Sequence, residues 1–191
     1  MLSQIATAVL WGTEALAVNV EAHIQNGLPG LSVVGLPDGA VKESRERVRS
    51  AIINSGLDFP SKRITINLAP ADIRKEGGTF DLPIAAAILA ALEILPPEQA
   101  GRYLFVGELG LNGSLKPVRG VLSAAFLAQS LGLKGLICPQ ANLKEALLAG
   151  GTVWPAGNLM QVVDICRNDL PGVCEPSFEA VTANTTAVDL A

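Results

Sequence analysis

The run Pro70–Leu95, PADIRKEGGTFDLPIAAAILAALEIL, decides the fold. Arg63-Ile64-Thr65-Ile66-Asn67-Leu68 precedes it and predicts a strand. Within the run come a charged turn, the Gly77-Gly78 pair and Thr79, and then an apolar helix over 82–95 that Asp81 can cap. Ile84, Ile88, Ala91, Leu92 and Leu95 make a wide apolar face, and Pro96-Pro97 stops the helix. A strand, a glycine turn and a helix N-terminus in this order can present backbone N–H groups to an anion. The same order also describes a simple capped helix.

After residue 60, strands and helices alternate. Tyr103–Gly107 reads as a short buried strand and 108–115 as a hairpin turned at Asn112-Gly113. A helix over 120–131 is apolar nearly all round and should be buried. Strands at 136–139 and 152–154 alternate with helices at 141–148 and 159–167. This alternation argues for an α/β layer structure.

Before residue 60 the pattern differs. Residues 2–10 and 15–24 read as strands joined by a turn at Trp11–Glu14, and 31–34 as a third strand after the turn at Asn26–Gly30. Short connections predict an antiparallel meander. A helix follows to about Ser55, with Asp38 as its N-cap. Val41, Val48, Ala51 and Ile52 share its apolar face, and Lys42, Arg45 and Arg49 form a basic stripe. The spacing pairs Glu43 with Arg47 and Lys42 with Glu46. From about Asp169 the composition turns to Pro, Glu, Thr, Asn and Ala without period, so 1–169 reads as one domain and 170–191 as a linker or tail.

Composition narrows the function. The chain has 191 residues, 49% of them hydrophobic and 4% aromatic, so small aliphatic side chains carry its core. A formal net charge of −4 argues against nucleic-acid binding through global charge and leaves a local basic patch open. Three dispersed cysteines, Cys138, Cys166 and Cys174, suggest free thiols in a reducing cytoplasm rather than a disulfide framework or a zinc site. The longest apolar run, Leu82–Leu92, is too short to span a bilayer, and no signal peptide opens the chain. No P-loop, GxSxG or HExxH sequence is present, and the single histidine, His23, supplies neither a metal shell nor a triad.

Two places remain as candidate sites. The loop Arg74–Asp81 reads as a capped helix start, as an anion site at Gly77, Gly78 and Thr79 with Arg74 or Lys75, or as a hydroxyl nucleophile at Thr79. A nucleophile needs a base, and with no suitable histidine only a lysine such as Lys116, with a depressed pKa, could serve. The second place is the cations. Lys42, Arg45 and Arg49, with Arg74 and Lys75 and aided by Lys62 and Arg63, contact phosphates if the fold gathers them; otherwise they form a solvated face.

Three runs carry a resemblance: GLPGLSVVGLPDGAVKESRERVRSAIINSG at 27–56, RITINLAPADIRKEGGTFDLPIAAAIL at 63–89 and FVGELGLNGSLKPVRGVLSAA at 105–125. In this order they resemble the N-terminal domain of the YifB/ComM magnesium-chelatase-like AAA+ ATPases, over roughly residues 1–170. That domain is similar in turn to the Lon protease catalytic domain. The resemblance implies the Lon protease C-terminal-domain-like fold, shared with a ribosomal-protein domain 2. It also places Thr79 where Lon proteases carry the nucleophilic serine and Leu122 where they carry the catalytic lysine. Leucine cannot act as a base, so the resemblance implies a domain without peptidase activity. It further implies an AAA+ module with ATP and magnesium beyond the tail, a homo-hexameric ring, and action on DNA in branch migration during natural transformation and recombination. No cofactor is expected within these 191 residues. An atypical peptidase using Thr79 and a protein-interaction module are the alternatives.

Overall fold

A computed structural model describes residues 1–174. Within them, nine strands and six helices fold in an α/β arrangement around one mixed seven-stranded sheet. β1 (Leu2–Trp11) and β2 (Glu14–Gln25) form a long antiparallel hairpin, with Ile5 opposite Val20 and Trp11 opposite Glu14. Its two-residue turn uses Gly12 at φ 64°, a left-handed conformation that suits glycine. β3 (Gly30–Val34), β4 (Arg63–Ala69), β5 (Tyr103–Phe105), β8 (Gly135–Pro139) and β9 (Val153–Ala156) complete the sheet in the order β3-β4-β2-β1-β5-β8-β9. β6 (Glu108–Leu109) and β7 (Leu115–Lys116) pair as a separate small hairpin.

The opening meander is corrected. β3 does not pair with β2; β4 lies between them, antiparallel to β2 and parallel to β3. The reason is helix α1 (Gly39–Asn54), which joins β3 to β4. A strand, a helix and a second strand bury the helix best when the strands lie parallel and adjacent. Gly35 makes the tight exit from β3 possible. It sits at φ 95°, and a Cβ there would lie 2.1 Å from the Leu68 carbonyl oxygen.

Strand alternation sorts the core onto two faces. Ile5, Val9, Tyr103, Phe105, Ile137 and Trp154 point to one face, beneath α1, α2 (Asp81–Ala91) and α6 (Leu159–Asn168). Ala8, Leu104, Leu136, Cys138 and Val153 point to the other, beneath α4 (Val121–Ser130) and α5 (Leu143–Leu147). All eleven residues of α2 are buried, which its alanines allow by letting the sheet approach closely. The short α3 (Pro97–Ala100) follows, with proline at its first position.

Two further expectations differ from the structure. α4 is buried only through Val121, Ala124, Ala125 and Ala128, while Phe126 is 52% exposed, because no layer lies outside it among the described residues. Residues after 169 also keep contact with the domain. Val173 pairs with Val153 at the sheet edge, and the Trp154 indole donates to the Leu170 carbonyl at 2.7 Å. An edge strand leaves N–H and C=O groups to be satisfied, and this segment satisfies those of Val153. The rest of the expected linker, 175–191, lies outside the described residues. No helix among those described is long and apolar enough to cross a membrane.

Candidate functional site

The turn at Gly78–Phe80 and the start of α2 are tied to the segment that follows β5. The Gly107 N–H donates to the Thr79 carbonyl at 3.1 Å, and the Leu82 N–H to the Gly107 carbonyl at 2.9 Å. Asp81 adds a third tie. Its carboxylate accepts from the Leu109 N–H at 3.1 Å and receives the Arg47 guanidinium of α1 at 2.7 and 3.0 Å. Asp81 is therefore the first residue of α2 rather than its side-chain cap. Arg47 turns to it instead of to the expected Glu43. Asp81 is fully buried, and burial pushes its carboxyl above the ordinary value against the pull of Arg47 and the Leu109 N–H. The fork to Asp81 holds the Arg47 guanidinium above its own ordinary value.

This geometry bears on the anion reading. The donors at the start of α2 are used within the protein. Asp81 N–H bonds the Gly78 carbonyl, Leu82 N–H bonds Gly107, and Pro83 has no N–H. The Gly77 N–H faces the Asp38 carboxylate at 3.4 Å, and the Glu108 carboxylate lies so close over Gly78 that a Cβ there would meet it at 2.4 Å. Two carboxylates against a glycine pair repel an anion rather than cradle it.

Thr79 opens onto a cleft of about 890 Å³. Its walls are the end of β1 (Ala8–Trp11), the loop Arg74–Phe80, and the segment Pro117–Gly120 before α4, with Asp38 and Glu108 at one end. No lysine among the described residues lines this cleft. Lys116 is exposed on β7 and does not line the cleft. Leu122, at the position the resemblance assigns to a lysine, instead gives its N–H to the Glu145 carboxylate at 3.2 Å. Glu145 and Asn142 brace this wall, since Asn142 exchanges two hydrogen bonds with the Val118 backbone at 3.0 and 2.9 Å.

The cations do not form one patch. Lys42, Arg45 and Arg49 lie on the exposed face of α1, and none makes an ion pair among the described residues. Arg49 stacks over the Phe59 ring at 5.3 Å. Arg74 is exposed but bound to Glu76 at 2.9 Å. Lys75 is corrected: it is fully buried, its Nζ donates to the Pro70 carbonyl, and burial lowers its pKa. A buried ammonium held by a carbonyl cannot reach a phosphate. Its backbone links Leu36 and Asp38, which anchors the loop beside α1.

Sequence reasoning missed Glu108, Asn142 and Glu145 and the fork between Arg47 and Asp81. A carboxylate in an apolar helix start that needs a buried cation was the available signal for the last.

The family model described as subunit ChlI of Mg-chelatase matches residues 20–142. The YifB protein of Escherichia coli is 48% identical over 161 residues, 84% of this chain and 32% of its own length. Competence protein ComM of Haemophilus influenzae is 45% identical over 152 residues, covering 80% of this chain and 30% of ComM. Lon protease of Mycolicibacterium smegmatis is 26% identical over 170 residues, 86% of this chain and 21% of the protease. The chain thus spans about a third of the length of the YifB and ComM relatives.

Proposed function

Because this chain belongs to the family described as subunit ChlI of Mg-chelatase, within its YifB/ComM group, we propose that it is the non-catalytic amino-terminal domain of an AAA+ ATPase that acts on DNA. The ATPase would be cytoplasmic, use ATP and magnesium in a module outside these residues, and assemble as a hexameric ring. The domain would support ring assembly and contact DNA. The process would be branch migration in natural transformation and recombination; the competence name of the Haemophilus relative supports the family rather than that step.

The observation that carries this reading is the unpaired stripe of Lys42, Arg45 and Arg49 on α1. Three cations without ion-pair partners among the described residues favour phosphate contact over a self-neutralised surface, and phosphate contact needs reach rather than base-reading geometry. Arg74 contributes less because Glu76 holds it. Absence of peptidase chemistry rests on Thr79, whose cleft is lined by no lysine or histidine among the described residues, and on Leu122. A hydroxyl without a base is a poor nucleophile.

Fluorescence anisotropy of labelled duplex DNA, titrated with the chain at low salt, tests the DNA reading. Binding that weakens with salt and on Arg45→Glu supports it; a flat titration at low salt removes it. Incubation with unfolded casein tests the other half. Cleavage that disappears in Thr79→Ala would overturn the non-catalytic assignment.

A further inference from the structure

We propose that the cleft beside β1 is a docking groove for an extended segment of another polypeptide, which pairs with the free edge of β1 at Ala8–Trp11.

The strand lengths provide this edge. β1 runs to Trp11, but β5 ends at Phe105 and pairs with β1 only at Ala6 opposite Leu104. Ala8, Val9, Leu10 and Trp11 pair with β2 on one side, and all four line the cleft on the other. Backbone groups of a sheet strand left without a partner are a template for one more strand. No backbone bond from these residues to any segment but β2 exists among the described residues.

Side chains make the floor of the groove apolar. Val9 and Phe80 line it from one face of the sheet and Ala8, Val106 and Val118 from the other, while Leu10 and Trp11 stand 42% and 65% exposed at its rim. An extended segment added to this edge alternates its side chains between the two faces, and both offer apolar contacts. Charge selects among segments. Asp38 and Glu108 lie beside the Gly77-Gly78 pair and Arg119 lies next to Gly120, and none of the three forms an ion pair among the described residues. Glu76 is held by Arg74. The preferred occupant therefore carries apolar residues at alternate positions and a lysine or arginine that reaches Glu108. Two unpaired carboxylates against the single unpaired Arg119 disfavour a phosphate backbone, so the groove and the α1 stripe serve different partners.

The test uses the 191-residue chain and a dye-labelled seven-residue peptide of alternating valine and threonine with a central lysine. Anisotropy should rise saturably below about 1 mM peptide. It should weaken about tenfold for the chain carrying Glu108→Lys, a loss of about 1.4 kcal/mol. A peptide methylated at alternate backbone nitrogens should not bind, since it lacks the strand donors. Amide exchange of the unaltered chain should slow at Ala8–Trp11 on peptide addition, which requires no variant to fold. No rise at 1 mM, equal binding of the methylated peptide, or slowing confined to other segments overturns the proposal. Reversal of Arg45 should leave peptide binding unchanged, which separates this result from the DNA reading.

Discussion

Arg47 of α1 grips Asp81 at the start of α2 with a two-point fork, Nε to Oδ2 at 2.7 Å and Nη2 to Oδ1 at 3.0 Å. The same carboxylate accepts the Leu109 N–H, so one buried group joins α1, α2 and β6 behind the cleft loop.

Arg47→Ala leaves that carboxylate buried without its cation. The expected loss is about 3 kcal/mol, at the low end for breaking a buried pair because Arg47 itself is 24% exposed. Urea unfolding followed by circular dichroism measures it. Arg47→Lys should restore only part, since an ammonium cannot form the fork. A loss under about 0.5 kcal/mol would put Arg47 among ordinary surface residues.

The pair also sets a pH dependence. Asp81 has a folded pKa raised above its ordinary 3.8, with burial as the main cause. Its contribution to stability is full below 3.8 and is lost as pH rises through the folded value. Removing Arg47 takes away the strongest opposing pull, so the folded value climbs further. The penalty of Arg47→Ala should therefore shrink between neutral pH and pH 4.5, as the variant's Asp81 protonates. Unfolding curves of both chains across that range check it; a penalty that grows on acidification contradicts the assignment.

Cys138 and Cys166 are buried, and burial pushes both thiols up to about 12. Cys174 is exposed. Iodoacetamide at pH 8 should therefore modify the native chain once, at Cys174, and the urea-unfolded chain three times. Intact-mass spectrometry counts the additions. Rapid native labelling of Cys138 would mean that the α4–α5 face opens readily.

Charge reversal on α1 should act through salt dependence. Lys42→Glu with Arg45→Glu should lower the slope of log affinity against log salt by roughly 2, about 0.9 for each duplex phosphate that is no longer neutralised. Stability should change little, because both side chains are exposed. Lys75→Glu should instead destabilise the fold, since it buries a carboxylate against the Pro70 carbonyl. Anisotropy titrations over a salt series, with melting curves for each variant, separate the two effects.

The sequence by itself determined most of the elements, the Asp38 cap of α1 and the family. The Asp38 cap is there, with its carboxylate accepting the Val41 N–H at 2.8 Å, because capping depends on neighbours three residues apart. The strand 63–68 and the buried helix after Asp81 were legible for the same local reason. Runs of residues in order also gave the resemblance, without any contact being known.

Tertiary structure decided what depends on distant partners. Only the fold shows β4 entering between β2 and β3, because strand order follows from where α1 can be buried, not from the length of the turn at residues 26–29. Only the fold takes Lys75 out of the basic stripe and Arg47 away from Glu43, since the desolvated Asp81, 34 residues further along, attracts a cation more strongly than a solvated neighbour does. Only the fold lets β1 outrun β5, and the bare edge at Ala8–Trp11 is a property of two strand lengths compared in space.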